Sequence, residues 1–201
     1  MGLIETIKQL DTSLFFIINK HHNPFFDKLM YWCSDKYFWI PLYAFFLFLI
    51  FKNNTSKKSF LIVLFMIVLV VLTDQISVEL FKENFKRYRP CHNLNIKDLI
   101  HLVGDGCGGL YGFVSSHATN TAGIATFLFL VFRKKFPKYS WLVFIWAALN
   151  SYSRVYVGVH YPADVLVGSL LGMAIGFFTF YLFKKVDEIN FSNSEKNIVK
   201  Y

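Results

Sequence analysis

Long apolar runs narrow the possible folds of this chain more than any other feature. Residues 37–51, 59–80, 139–157 and 163–183 are each apolar enough to cross a bilayer, and the first run extends backward through 25–32. A fifth run, 118–132, is shorter and begins in a Ser/His/Thr/Asn turn suited to capping a helix. Inside a bilayer every backbone polar group must be satisfied within its own segment, so such runs form helices. The expected fold is an all-α integral membrane bundle of about five spans in a single domain covering residues 1–201. A soluble chain of 201 residues with 55% apolar residues and a mean hydropathy of +0.41 would leave too much apolar surface in water.

The remaining segments fit around that bundle. Residues 3–20 alternate polar and apolar at helical spacing and carry Lys8, Asp11 and Lys20, so residues 1–25 read as a helix lying at the membrane interface. Residues 1–11 do not read as a cleaved signal, because Glu5 and Asp11 interrupt them and the apolar stretch 14–18 is short. Residues 187–201 read as a loose polar tail. Gly168, Gly172 and Gly176 recur every four residues and predict a stripe where a neighbouring helix comes close.

Charge gives orientation rather than a nucleic-acid partner. The net charge is +8, but the cations sit in short clusters between apolar runs, with no basic face interleaved with stacking aromatics. Lys52, Lys57 and Lys58, then Arg133, Lys134, Lys135 and Lys138, then Lys184 and Lys185 all fall on one side if the five spans alternate. The positive-inside tendency makes that side cytoplasmic. Lys82, the long segment 81–113 and the turn 155–162 then face outward.

Three short patterns share that outer side: Lys82 with Arg89–Pro90; Val114–Ser115–Ser116–His117; and Ser153–Arg154 with His160 and Asp164. Each has a bland explanation, as snorkelling cations, helix caps or a structural hydrogen-bonded pair. The third pattern alone is expected by chance in about one chain per thousand of this length, so the combination points to chemistry. Phosphoryl transfer fits it. The equatorial oxygens of a phosphoryl group need preorganised positive charge, which Lys82, Arg89 and Arg154 supply. Ser115 and Ser116 open a helix whose free N–H groups favour an anion. Asp164 can hold one nitrogen of His160 so that the other attacks phosphorus, with His117 as the acid for the leaving oxygen and then the base for water. No metal-ligand set accompanies either histidine.

These residues resemble the type 2 phosphatidic acid phosphatase superfamily, which also includes vanadium haloperoxidases. Its signature is Lys-x6-Arg-Pro, then Pro-Ser-Gly-His, then Ser-Arg-x5-His-x3-Asp. Lys82/Arg89/Pro90 and Ser153/Arg154/His160/Asp164 match the first and third parts. In the second part Val114 and Ser116 replace Pro and Gly, while Ser115 and His117 remain. The match covers about residues 59–183, the catalytic bundle, and residues 1–58 carry no such motif. The resemblance implies a helical bundle with its site at the outer membrane surface and no metal or other cofactor. It also implies a lipid phosphate or diphosphate substrate such as undecaprenyl diphosphate, phosphatidylglycerol phosphate or lipid A. The expected location is a bacterial inner membrane with the site facing the periplasm. Oligomeric state stays open.

Cys91 and Cys107 both fall in the outer segment, where an oxidising compartment permits a disulfide between them. Gly104, Gly106, Gly108, Gly109 and Gly112 read as makers of tight turns, with no phosphate-loop pattern. Two other functions remain open from the sequence: a phosphatase or phosphotransferase for a soluble ester, and an inert transporter or structural protein, for which the intramembrane Asp74 could be cited.

Overall fold

A computed structural model describes residues 2–104 and 106–198, and of 190–198 the backbone alone. The described residues are helical with no strands: α1 Leu3–Asn19, α2 Pro24–Ser34, α3 Ile40–Asn53, α4 Ser56–Gln75, α5 Glu83–Phe85, α6 Ser116–Phe132, α7 Leu142–Tyr156 and α8 Pro162–Ile198. A π-helical stretch, Ile76–Lys82, joins α4 to α5. Two one-turn 3-10 helices, Pro90–His92 and Lys97–Leu99, lie in the connection between α5 and α6.

Helix α6 runs through the centre, buried on nearly all sides, and packs most extensively on α8, then on α7 and α4. The glycine stripe permits the α8 contact. A Cβ at Gly172 would overlap the carbonyl of Thr119, and one at Gly168 would come within 2.8 Å of the carbonyl of Ser115. The main core joins Phe46, Ile50, Ile62, Leu69, Phe127, Leu128, Trp146 and Phe183 across α3, α4, α6, α7 and α8.

Outside this core the surface is apolar, the reverse of a soluble protein. Phe60, Leu64, Ile67 and Val71 on α4 and Leu166, Leu170, Phe177 and Phe178 on α8 are exposed. A belt of this size is stable only against hydrocarbon or another apolar surface. Two helices, Ser56–Phe85 and Pro162–Ile189, have the length and composition to cross a membrane; Ile40–Asn53 is apolar but shorter.

Two expected boundaries move. Residues 25–32 do not extend the first span: they form α2, capped where the Phe26 N–H donates to Asn23 Oδ1 and started by Pro24. The chain then turns at Asp35, whose Oδ1 accepts the Tyr37 N–H. The last helix does not stop near residue 183 before a loose tail. It continues to Ile198, and residues 199–201 lie outside those described. Few residues after 183 oppose helix, and the polar stretch has helix-compatible Lys and Glu.

Candidate functional site

The C-terminal ends of α4 and α7 and the N-terminal ends of α6 and α8 bring the three sequence patterns to one place. The π-helical stretch re-aims the end of the α4 helix at the head of α6. There Lys82 Nζ donates to Ser116 Oγ at 2.7 Å, and Ser77 Oγ lies 2.7 Å from the same oxygen. Ser115 caps α6, its hydroxyl accepting from the Ala118 N–H. Its own N–H donates to the Asp164 carbonyl at 3.0 Å. The expectation that both serines offer free N–H groups therefore fails for Ser115, which is wholly buried and binds α6 to α8 instead.

His160 sits in the turn between α7 and α8, 1% exposed. Its backbone N–H donates to the Arg154 carbonyl, which folds the turn back over α7. Asp164, in the first turn of α8, places Oδ2 3.4 Å from His160 Nδ1, a close contact outside good hydrogen-bond alignment. The same Oδ2 accepts the Tyr161 N–H at 2.9 Å. On the opposite edge of the ring, Arg89 Nη1 lies 3.1 Å from His160 Nε2 and also donates to the Val159 carbonyl.

Segments 87–89 and 110–112 hold Arg89 in place. Tyr88 and Tyr111 form an isolated antiparallel bridge, Arg89 N donates to Leu110 O, and Gly112 N donates to Arg87 O. A disulfide between Cys91 and Cys107, with Cα atoms 6.0 Å apart, closes the loop just beyond. Gly112 is pressed onto the site: a Cβ there would stand 3.0 Å from Asp164 Oδ2, 3.2 Å from Arg89 Cγ and 3.5 Å from His160 Nδ1. It is therefore more than a turn residue, in contrast to Gly104 and Gly108, whose φ values of +91° and +75° serve the loop's turns.

Arg154 reaches the site from α7. Its Nη1 donates to the carbonyl and hydroxyl of Ser34 on α2, and its side chain lines a cavity of about 320 Å³ with Tyr31, Asp35 and Val103. The Nε atoms of Arg89 and Arg154 are both buried and, among the described residues, have no hydrogen-bond partner. Half-buried His117, at the head of α6, is within electrostatic reach of Arg154, His160, Arg89 and Lys82. Burial first, then Arg89, Arg154 and Lys82, hold the His160 imidazole well below the usual histidine range, so it is neutral at rest. A neutral, oriented imidazole ringed by three cations with unspent donors suits attack on an anionic phosphoryl group.

Several residues at or behind this site carry no signal in the short motifs. Arg87 lies inside the gap between Lys82 and Arg89, and its Nη1 donates to Asp164 Oδ1 at 3.0 Å. Residues 1–58, from which no motif could be drawn, supply Asp11 and Ser34. The one available clue to Asp11 is its place four residues before Phe15 and eight before Asn19, on the buried stripe of α1.

Among the described residues, two further histidines and a carboxylate come together apart from His117 and His160. His22, Asp27 and His101 bring candidate donor atoms within 4.8 Å of one another. The two imidazoles stack face to face with centroids 3.5 Å apart and planes 4° off parallel, and His101 Nε2 already meets Asp27 Oδ2 at 3.0 Å. Stacked rings do not aim their lone pairs at one point, so the geometry is that of a ring pair with a carboxylate.

The comparisons agree with this fold. The PAP2 superfamily matches residues 59–188. The chain is 34% identical over 180 residues to a lipid A 4'-phosphatase of Porphyromonas gingivalis, covering 90% of this chain and 75% of that protein. It is 34% identical over 185 residues to a lipid A 4'-phosphatase of Bacteroides thetaiotaomicron, covering 92% and 81%. The crystal structure of a transmembrane PAP2 type phosphatidylglycerolphosphate phosphatase from Bacillus subtilis superimposes with a TM-score of 0.68 at 24% identity, covering 91% of this chain and 87% of that one.

Proposed function

Because this chain belongs to the PAP2 superfamily, in its membrane lipid phosphatase branch, we propose that it hydrolyses a phosphate monoester of lipid A through a phosphohistidine on His160. Hydrolysis of phosphoester bonds is the activity of that branch. The lipid A assignment draws on the two relatives that match nearly the whole chain. The observation that carries the site is the convergence of Arg89 and Asp164 on opposite edges of the buried His160 ring.

In the proposed reaction the phosphoryl oxygens lie among Lys82, Arg89 and Arg154, with Ser116 beside Lys82. The anion draws the Arg89 guanidinium off Nε2, and that nitrogen attacks phosphorus in line with the leaving sugar oxygen. The bound anion offsets the surrounding cations, so His117 takes up a proton as the substrate binds and gives it to that oxygen as the P–O bond breaks. Asp164 steadies the cationic phosphohistidine from the Nδ1 side. His117 then takes a proton from water, which attacks phosphorus, and the P–N bond breaks to release inorganic phosphate. Every charge in this sequence is handled by side chains of the chain.

The proposed topology is a bundle of about five spans, α3, α4, α6, α7 and α8, with α1 in the outer interface and the site toward the periplasm. The charge clusters and the exposed apolar belt support it. The lipid reading also follows from that belt, since a site at the end of bilayer helices receives substrate sideways from the leaflet.

Phosphate release by the detergent-solubilised protein should be measured on lipid A, undecaprenyl diphosphate, phosphatidylglycerol phosphate and a water-soluble phosphomonoester, with chelator present. Highest kcat/KM on lipid A, abolished in His160→Ala, supports the proposal. Preference for either other lipid overturns the substrate, preference for the soluble ester overturns the lipid route, and hydrolysis unchanged in His160→Ala overturns the nucleophile.

A further inference from the structure

Helix α1 has two unlike faces. Leu3, Ile4, Ile7, Leu10, Leu14 and Ile17 are exposed along one side, while Asp11, Phe15 and Asn19 are buried along the other. Asp11 is a carboxylate only 6% exposed on a helix otherwise suited to an interface, which calls for a reason. Both of its oxygens are engaged. Oδ1 accepts the Ala163 N–H at 2.8 Å, in the first turn of α8, and Oδ2 accepts from Arg87 Nη2 at 2.6 Å.

Arg87 spans two carboxylates. Its Nη1 donates to Asp164 Oδ1 at 3.0 Å, and its guanidinium lies over the Tyr161 ring, 4.0 Å from the centroid. The side chain of Asp164 is fully buried, and its Oδ2 is the atom that faces His160 Nδ1. One continuous line of contacts therefore runs from the interfacial helix to the imidazole: Asp11, Arg87, Asp164, His160. Holding α1 against the body does not require this line. Phe15 packs on Tyr161 and Val155, and Asn19 bonds the backbone of His101 and Tyr156.

We propose that Asp11 is a positioning residue for the hydrolysis: acting through Arg87, it fixes the Asp164 carboxylate that orients His160. A planar guanidinium held at both ends cannot swing, so Asp164 Oδ1 is pinned and Oδ2 stays on the Nδ1 side of the ring. Asp11 also balances Arg87, which otherwise would leave its full charge on Asp164 and weaken that carboxylate's hold on a cationic phosphohistidine. The active site is thus completed by a helix outside the segment that carries the family's motifs. The inference rests on His160 being the nucleophile.

The test compares wild type, Asp11→Asn, Arg87→Gln and the double variant in the full-length solubilised protein, with kcat and KM measured on lipid A. Asn keeps an oxygen to accept the Ala163 N–H but turns an uncharged amide toward Arg87, so the cap survives and the ionic hold does not. The expected result for Asp11→Asn is a kcat lower by about 10- to 100-fold with KM within about twofold, at a thermal midpoint near wild type. In the Arg87→Gln background, Asp11→Asn should cost nothing more, because its effect passes through Arg87. Wild-type kcat in Asp11→Asn, or a loss that multiplies with that of Arg87→Gln, overturns the inference while leaving the nucleophile untouched. Hydrolysis surviving in His160→Ala removes its premise instead. If Asp11→Asn does not fold, Asp11→Ser, which also keeps a cap oxygen, carries the same comparison.

Discussion

Arg89 Nη1 stands 3.1 Å from His160 Nε2, the nitrogen from which phosphorus would be attacked. A guanidinium can only donate, so the ring must present a lone pair at Nε2 and carry its proton on Nδ1, toward Asp164. The same contact selects the reactive tautomer and shields it. An incoming phosphate offers the guanidinium a better acceptor and uncovers the nucleophile as it binds.

The pH profile should register this contact. His160 titrates below the ordinary value of 6.5 because burial and the cations Arg89, Arg154 and Lys82 disfavour its charged form. A lowered pKa keeps the neutral, reactive form populated into more acid solution. The acid limb of kcat/KM therefore falls below pH 6.5 in the wild type, and Arg89→Gln, which removes the first of those cations, moves it upward. A limb that stays fixed in Arg89→Gln contradicts this account. That variant should also lose about 100- to 1,000-fold in kcat/KM at neutral pH.

His117 and His160 should fail differently. With a soluble ester whose leaving group needs no proton, His117→Asn retains the attack and loses the water step. The expected result is a burst of about one leaving group per enzyme followed by a stall, with acid-labile phosphate on the protein. His160→Ala gives no burst and no labelled protein. Equal steady rates for the two variants, without a burst, would show that no covalent intermediate forms.

A methyl group at position 112 should act as a wedge. Gly112→Ala would place a Cβ 3.0 Å from Asp164 Oδ2 and 3.2 Å from Arg89 Cγ, both of them on buried groups with little room to give. Overpacking of this kind costs about 1–3 kcal/mol, and displacement of the carboxylate should lower kcat by about 100-fold. Wild-type activity in Gly112→Ala would mean that the 110–112 segment is free to lift away.

How far the sequence alone reveals this site can be judged residue by residue. The Lys82, Arg89, Arg154, His117, His160 and Asp164 cluster was legible because fixed spacings record helix ends that must meet. Ser115 is ambiguous in the sequence because its side chain reads as a cap either way, while the partner of its N–H, the Asp164 carbonyl, lies 49 positions along the chain. Arg87 and Asp11 were illegible for the same reason, their link spanning 76 positions with no local pattern to announce it. The α2–α3 break, between Ser34 and Ile40, is hidden by the apolar character shared by the two helices, although Pro41 stands in the first turn of α3.

Removing the disulfide should loosen Arg89 before it unfolds the bundle. Cys91 and Cys107 close a loop of 16 positions, for which the chain-entropy estimate is about 3 kcal/mol. The double Cys91→Ser, Cys107→Ser variant should show a lower thermal midpoint and a raised KM, because the two segments that flank the loop, carrying Arg89 and Gly108, lose their tether. Unchanged values for both quantities would show that the Tyr88–Tyr111 bridge alone suffices.

Where α6 and α8 touch backbone to backbone at Gly172, no side chain is available to act as a cushion. The histidine heading one helix and the aspartate heading the other are therefore set on what amounts to a single rigid strut. Evolution can retailor the exposed face of α1, helix α3 and the loop between Cys91 and Cys107 to suit a new headgroup, so long as Asp11 and Ser34 keep their contacts with Arg87 and Arg154, without disturbing the spacing of the reacting groups. Exchange of lipid preference among such proteins should accordingly follow grafting of those outer parts, with the strut left intact.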